Sequence, residues 1–275
     1  VGNPREVIAQ NGIPISNGDM GIDVIEDENS VSIRYKLKPE YPLNLAIWKN
    51  SEKLTSRICY LNAERKGPRV SYPAGGNLNI LPDGSNAAYL VDRADLMNWQ
   101  VPLGARANSS VGKFSTQVEE WMNIILGDVQ FSITTDLAKV STDIRYRNSL
   151  VDYGVLPTMT GFGISYIFSV VTAALWCTVN ESAVLVVENP EAHLHPAAQS
   201  RIGKFLQIIS AVGVQVIIET HSEHIIDGSR LQAAYLKKTE DMQVLFFQTE
   251  DKHIEIKKIN VNQNGELSEW PKGFF

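Results

Sequence analysis

The chain has 275 residues, of which 44% are hydrophobic and 20% are charged, and its formal net charge is −6 at pH 7. This length allows one large domain or two modest ones with a real core, and the acidity excludes a globally basic nucleic-acid binder. Cys59 and Cys177 stand in apolar stretches without CxxC spacing, which favours buried thiols over a disulfide framework. We therefore expect a cytoplasmic protein.

Residues 1–150 carry mainly strand signals. The stretches VSIRYKL, SRICYLNA and VQFSITT are short and rich in β-branched and aromatic residues. One helix is predicted in TQVEEWMNIIL from the helical spacing of its apolar residues, and SYPAGGNLNILPDGSN is predicted to be a long surface loop. We interpret this part as a strand-rich region with inserted loops and one helix.

Residues 151–275 alternate between buried strands and helices. The apolar runs AVLVV and VQVII predict strands covered on both faces. Between them Ile202, Phe205, Leu206 and Ile209 form a helical stripe, which completes a βαβ unit with parallel strands. MQVLFF and HIEIKKINV predict two more strands. The predicted fold class is α/β, with a mainly parallel sheet core flanked by helices and a strand-rich N-terminal part.

The longest apolar run, ISYIFSVVTAALWCTV, follows a glycine-rich turn. It is shorter than the roughly 20 residues that span a bilayer, so a buried helix and no membrane contact are expected. Gly161 and Gly163 would let the backbone turn tightly, and Ser165 would cap a helix from about Tyr166 to Trp176. A helix start of this kind binds anions readily, although a capped buried helix has the same pattern.

Polar residues follow both predicted parallel strands. The first strand ends at Glu188, Asn189 and Glu191, and the second ends at Glu219 and His221. Ligands of open α/β sheets bind outside the carboxyl ends of the strands. We therefore expect these side chains to lie together at one edge of the sheet, although about thirty residues separate the two groups along the chain.

The order of these features is more specific than any one of them. Over residues 155–228 the chain has a glycine-rich turn opening a helix, a strand ending in acid, EAHLHP, a helix, and a strand ending ETHS. This series resembles the ABC-type ATPases, in particular the OLD-like and SMC/RecF-like predicted AAA ATPases of bacterial genome-defence operons. YLNAERKGPRVSY and NGELSEWPKGFF resemble further segments of one such family. The resemblance implies an ABC-type ATPase fold, ATP and Mg²⁺ as ligands, and a head-to-tail homodimer.

The resemblance also implies catalytic roles. Glu188 takes the place of the Walker B carboxylate, which holds Mg²⁺ through water, and His221 that of the switch histidine, which senses the γ-phosphate. Asn189 stands where the family usually has the glutamate that polarises the attacking water. An amide orients a water but cannot take its proton, so Glu191 or His221 would have to substitute, or turnover would be slow.

Further roles follow for the two loops beside these residues. GFGIS, with Gly161, Gly163 and Ser165, resembles the signature loop that offers N–H groups and a hydroxyl to a nucleotide held by the partner subunit. EAHLHP resembles the loop that crosses the dimer interface, which makes His193 and His195 interface groups. A key serine normally precedes the glycine of a signature loop, whereas here it follows.

A P-loop, G-x-x-x-x-G-K-[ST], is absent from the 275 residues. In the nearest candidate, SSVGKFS, Lys113 is followed by Phe114 and no buried strand precedes it. The resembling family carries its P-loop upstream, and the chain opens VGNPREV without methionine. We expect that the first strand, the P-loop and the following helix are missing from the fold.

Three functions remain open at this point. The first is an ATPase that couples ATP to control of a defence effector or to nucleic-acid processing. The second is a nucleotide-gated scaffold with little turnover that holds a partner nuclease or toxin inactive. The third is a zinc hydrolase built on the H-x-H spacing of His193 and His195. DNA or RNA contact would use the local basic patch of Arg65, Lys66 and Arg69, for which a solvated loop is the simpler interpretation.

Overall fold

The computed structural model describes residues 58–271 except 77, 109, 181–182 and 251–252, together with the backbone of three strands between residues 19 and 48. It divides into two compact units, Val1–Arg57 and Ile58–Phe275. The first unit contains an antiparallel sheet in the order β1-β2-β3, and β2 confirms the strand predicted in VSIRYKL. The three strands are β1 (Asp19–Glu26), β2 (Asn29–Lys38) and β3 (Tyr41–Trp48).

The second unit carries the other described elements. Its helices are α1 (Ala87–Leu96), α2 (Phe114–Leu126), α3 (Phe162–Thr178), α4 (Pro196–Ala211) and α5 (Glu223–Leu236). Its strands are β4 (Ile58–Leu61), β5 (Tyr72–Pro73), β6 (Gln130–Asp136), β7 (Ser141–Asn148), β8 (Val151–Val155), β9 (Val184–Glu188), β10 (Gln215–Glu219), β11 (Val244–Glu250) and β12 (His253–Ile259).

A parallel sheet in the order β10-β9-β4 forms the centre of this unit. The predicted βαβ unit of β9, α4 and β10 is confirmed, and its register pairs Glu188 with Glu219. Side chains alternate in burial along β9: Leu185 and Val187 are fully buried, while Val184 and Val186 are half-buried. Helix α3 packs against β9 and α4 against β10, so the sheet holds its carboxyl ends at one fixed edge.

A second sheet is antiparallel, with the order β5-β7-β6 and β8 paired to β7. Its β7 buries Ile144 and Tyr146, and the Tyr146 ring meets Phe168 of α3 edge-on. Residue 150, where the sequence pattern changes, lies in the turn between β7 and β8. The change of pattern therefore falls within the second unit, Ile58–Phe275.

The core agrees with the predicted interior residues. Trp121 and Trp176 are 5% and 4% exposed, and Cys59 and Cys177 are buried free thiols. The helices α1 and α5 were not predicted. Six of the ten residues of α1 are buried. The N-cap of α5 is Ser222, whose hydroxyl accepts hydrogen bonds from two backbone N–H groups of the first turn. Among the residues that the structure describes, no helix combines the length and apolar character that a bilayer span requires.

Two glycines bring α4 and α5 close together. A Cβ atom on Gly203 would overlap the carbonyl oxygen of Ile225, and one on Gly228 would overlap that of Ser200. Ser229 of α5 also donates its hydroxyl to the Gly203 carbonyl oxygen at 3.0 Å. The backbones of α4 and α5 are therefore in contact at these positions.

We expect Gly228→Ala to lower the free energy of unfolding by about 1–3 kcal/mol, because the added methyl group forces two helix backbones apart. Urea unfolding measures the change. Lys204→Ala, at an exposed position of α4, is the control and should change stability by less than about 0.5 kcal/mol. Equal stability of the two variants would contradict the close approach.

Candidate functional site

The Glu188 carboxylate is held in place at the end of β9. Its Oε1 accepts a hydrogen bond from the Tyr60 hydroxyl at 2.7 Å, and its Oε2 accepts one from the Ala63 backbone N–H at 2.9 Å. Tyr60 belongs to β4 and Ala63 to the loop after it, so both donors come from the neighbouring parallel strand. The sheet therefore orients a carboxylate at its polar edge.

The environment of Tyr60 raises the pKa of its hydroxyl. Burial, followed by the hydrogen bond to Glu188 and its negative charge, raises the pKa of Tyr60 from 10.0 to about 12. The tyrosine consequently stays protonated and remains a donor at physiological pH.

Arg65 lies beneath the same strand end and is only 3% exposed. It donates hydrogen bonds to the carbonyl oxygens of Glu188 at 2.6 Å and Asn189 at 2.7 Å. Its guanidinium also lies 5.0 Å from the centre of the Tyr166 ring. The expectation of a solvated loop is therefore wrong for Arg65, and the basic patch keeps only the exposed Lys66 and Arg69.

Asn189 has a left-handed backbone, with φ of 43°. Its N–H donates to the Glu219 carbonyl oxygen at 2.9 Å, and its own carbonyl oxygen accepts from Arg65. Asparagine tolerates this conformation better than most residues that carry a Cβ atom. The asparagine that replaces the expected glutamate thus fits the backbone geometry of the turn.

Glu191 connects the end of β9 to the segment after β10. Its Oε2 accepts from the Thr220 hydroxyl at 2.7 Å, and its Oε1 accepts from the His221 backbone N–H at 2.9 Å. Both oxygens are engaged, so Glu191 holds the neighbouring loop instead of standing free as a base. Its carboxylate is the cross-link that brings the two strand ends together.

His221 is the most open of these residues, with a side chain that is 84% exposed. Its Nε2 lies 3.3 Å from Glu219 Oε1. The structure thus brings Glu188, Asn189, Glu191 and His221 to one edge, as the topology predicted. Glu219, also predicted there, lies at the same edge, and Tyr60 and Arg65 join it. The stretch YLNAER, which begins in β4, was the sequence signal for these two.

The glycine turn differs from its prediction. Helix α3 begins at Phe162, and Gly161 is its N-cap with extended backbone, so Ser165 lies inside the first turn and does not cap the helix. Neither Gly161 nor Gly163 has a positive φ. Gly163 is needed for a close approach instead, because a Cβ there would lie 2.8 Å from the His193 carbonyl oxygen.

Ser165 is 6% exposed, and its hydroxyl oxygen has no accessible surface. It lies near Tyr146, whose pKa is raised by burial, an effect that Ser165 partly opposes. The hydroxyl therefore faces the interior, and the groups that this turn offers to a ligand are the N–H groups at the start of α3.

The two histidines of EAHLHP have separate structural partners. The His193 ring packs against Phe162 and Tyr166, with ring centres 5.3 and 5.0 Å away. His195 caps α4, since its Nδ1 accepts from the Ala197 N–H at 3.3 Å. Within the described part of the chain no group of three or more His, Cys, Asp or Glu side chains is placed to hold a metal. The zinc hypothesis therefore has no ligand set there.

Comparisons with known proteins agree with this fold. Residues 97–226 match the family described as AAA ATPase domain, and residues 238–275 match the family described as Protein of unknown function (DUF3696). No characterised protein matches the chain in sequence.

Two solved structures are similar in fold, each with a TM-score of 0.51 over 86% of this chain. One is an Smc head bound to the C-winged helix domain of ScpA, at 11% identity and 70% of that chain. The other is an Smc head domain with an extended coiled coil, bound to the C-terminal domain of ScpA, from Pyrococcus furiosus, at 13% identity and 73% of that chain. The mixed α/β fold is that of the SMC head type, and the expected likeness to AAA ATPases is confirmed.

We expect Tyr60→Phe to lower the free energy of unfolding by about 1–2 kcal/mol at neutral pH, because the Glu188 carboxylate loses a donor. The folded pKa of Tyr60 is raised, so its contribution is complete below pH 10.0 and is lost as the pH rises towards about 12. Urea unfolding of both proteins at several pH values gives the difference. Tyr235→Phe, at a side chain that is 82% exposed, is the control. A difference that stays constant across that range would contradict the assignment.

Gly163→Ala and Gly161→Ala form a matched pair. The first should cost about 1–3 kcal/mol of stability, because the methyl group meets the His193 carbonyl oxygen. The second has no neighbour within 4 Å and should cost at most about 1 kcal/mol. Thermal unfolding of the two variants measures both. The reverse order of stability would show that the turn packs differently.

Proposed function

We propose that the chain is part of an ATP-binding and ATP-hydrolysing subunit of the OLD-like, SMC/RecF-like ATPase group. The observation that carries this proposal is the edge at which Glu188, Asn189, Glu191 and His221 converge. That edge lies outside the carboxyl ends of parallel strands, where ligands of such sheets bind. The match of residues 97–226 to AAA ATPase domains supports a nucleoside triphosphate as the ligand.

Glu188 is the residue that would hold Mg²⁺, through water, in the manner of a Walker B carboxylate. Its carboxylate oxygens are hard donors, and Tyr60 and Ala63 fix their direction. A single carboxylate suits Mg²⁺, which keeps several waters and takes further oxygens from the phosphates. When bound, the ion would neutralise negative charge on the phosphate oxygens.

The remaining residues of the site bind and orient. His221 would present its exposed imidazole to the γ-phosphate, and Glu191 accepts a hydrogen bond from the backbone of the loop that carries it. Asn189 is in place to orient a water but not to accept its proton. The N–H groups at the start of α3, after Gly161, would meet the phosphates of a nucleotide held by a second subunit.

This role of α3 requires a head-to-tail homodimer with composite ATP sites. Met159 and Phe162 support an interface there, since their side chains are 71% and 54% exposed beside the glycine turn. His193 and His195 lie on the adjoining loop. The coupled process would be control of a defence effector, a nuclease or toxin, or processing of DNA or RNA contacted by Lys66 and Arg69. Location in the cytoplasm belongs to the same proposal.

A second function is the nucleotide-gated scaffold with little turnover. It is favoured because Asn189 and Glu191 are poorly suited to accept a proton from water. Asn189 is an amide, and both Glu191 oxygens accept hydrogen bonds from Thr220 and His221. This leaves the exposed His221 imidazole as the base among the residues predicted for that role. An ATP-bound state that persists would hold a partner inactive without continuous hydrolysis.

Full-length protein, including any upstream segment with a P-loop, decides between the two functions. We expect Mg²⁺-dependent ATP hydrolysis that Glu188→Gln lowers at least about a hundredfold, because the carboxylate charge that holds Mg²⁺ is removed. Phosphate release measures the rate, and equilibrium dialysis with labelled ATP measures binding. Glu240→Gln, at an exposed position away from the strand ends, is the control.

Each outcome has one meaning. Tight ATP binding without phosphate release would replace the ATPase by the scaffold. Absence of ATP binding by the full-length protein would overturn both. Micromolar ATP binding by residues 1–275 alone would show that the phosphate contacts do not depend on a P-loop, since these residues lack that motif.

A further inference from the structure

Arg65 is a buried cation whose described hydrogen bonds go to neutral carbonyl oxygens. Its two terminal nitrogens donate to the carbonyl oxygens of Asn62, Glu188 and Asn189, at 3.0, 2.6 and 2.7 Å. Its guanidinium carbon lies over the Tyr166 ring, 5.0 Å from the ring centre. None of the hydrogen bonds described for this side chain goes to a carboxylate, although Glu188 and Glu191 lie near enough to act on its charge.

Such a residue is costly to bury. Removal of a guanidinium from water carries a penalty of several kcal/mol, and neutral carbonyl groups repay it only in part. Burial lowers the pKa of Arg65, an effect opposed by electrostatic interaction with Tyr166, Glu191 and Glu188. An apolar side chain in the same space would avoid this penalty, but it would leave the carbonyl oxygens of Asn62, Glu188 and Asn189 without this donor. The arginine therefore holds the backbone of this turn in addition to filling the space.

The position of Arg65 connects two parts of the proposed site. On one side it holds both carbonyl groups at the end of β9, including that of the left-handed Asn189. On the other side it contacts Tyr166, in the second turn of α3. The Tyr166 ring also contacts His193 edge-on, and Phe162 contacts both. The same aromatic cluster thus joins the glycine turn to the loop after β9.

We propose that Arg65 is a positioning residue that couples the glycine turn of α3 to the carboxylate end of β9. Arg65 holds the Glu188 and Asn189 backbone in the geometry that a bound nucleotide needs, as long as Tyr166 of α3 packs against its guanidinium. A displacement of α3 by a second subunit would reach the carboxylate through this side chain. The inference rests on the proposed function, whose nucleotide site it completes.

The chemistry of the contact requires arginine. A guanidinium presents donors in a rigid planar fork and stacks on an aromatic face at the same time. A lysine keeps the charge, but its single ammonium group cannot bond both carbonyl oxygens in the same plane and stack on Tyr166. Arg65→Lys therefore separates the coupling from the buried charge.

The test uses full-length protein and compares Arg65→Lys with Arg147→Lys, at an exposed arginine of β7 that has no part in the proposed site. We expect Arg65→Lys to lower kcat, or the yield of ATP-dependent dimer if turnover is absent, by roughly tenfold or more. The KM or Kd for ATP should change by less than about threefold, since the phosphate contacts stay in place. Arg147→Lys should match the wild type in both.

A structural effect would behave differently. If Arg65→Lys lowered activity only in proportion to its folded fraction, as thermal unfolding reports it, or behaved like Arg147→Lys, the coupling would be wrong. If Arg65→Lys did not fold, Tyr166→Leu would decide, because it removes the stacking and leaves the arginine in place. Unchanged kcat or dimer yield in Tyr166→Leu would overturn the proposal. Absence of ATP binding by the wild type would overturn the proposed function instead.

Discussion

The parallel pairing of β9 with β4 on one side and β10 on the other is the constraint on which the site depends. It places Tyr60 beside Glu188 and sets Glu219 opposite it in register. Helix α4 connects β9 to β10, and His195 is its N-cap. The turn between β9 and α4 therefore lies at the sheet edge. A polar edge of this kind follows from strand order, before any individual side chain is considered.

Around this edge the polar groups stabilise one another. Glu191 is engaged by Thr220 and the His221 backbone, and Glu188 by Tyr60. The most exposed of these groups is the His221 imidazole, whose Nε2 lies 3.3 Å from Glu219 Oε1. The carboxylate proposed to orient a metal ion is therefore held by hydrogen bonds, whereas the imidazole proposed to contact a phosphate is open to solvent.

The sequence predicted those features that local patterns determine. Apolar runs identified β9 and β10, and strand order then gathered Glu188 and His221. Arg65 was misjudged because its burial depends on β4 pairing with a strand more than a hundred residues later in the chain. The first residue of α3 was predicted too late in the sequence. An almost uniformly apolar helix has no periodicity that marks its first residue, and Ser165 resembled an N-cap. The sequence singled out Gly163 for a tight turn. The structure shows a different need for glycine there, because a Cβ atom would approach the His193 carbonyl oxygen too closely.

The central claim is that Glu188 lies beside the metal ion of a bound nucleotide. A crystal structure of the full-length protein with Mn²⁺ and a non-hydrolysable ATP analogue tests it most directly, because anomalous scattering locates the ion. The account predicts an ion whose bound water donates to a Glu188 carboxylate oxygen, with the γ-phosphate facing His221. An ion or nucleotide bound away from the carboxyl ends of β9 and β10 would contradict it.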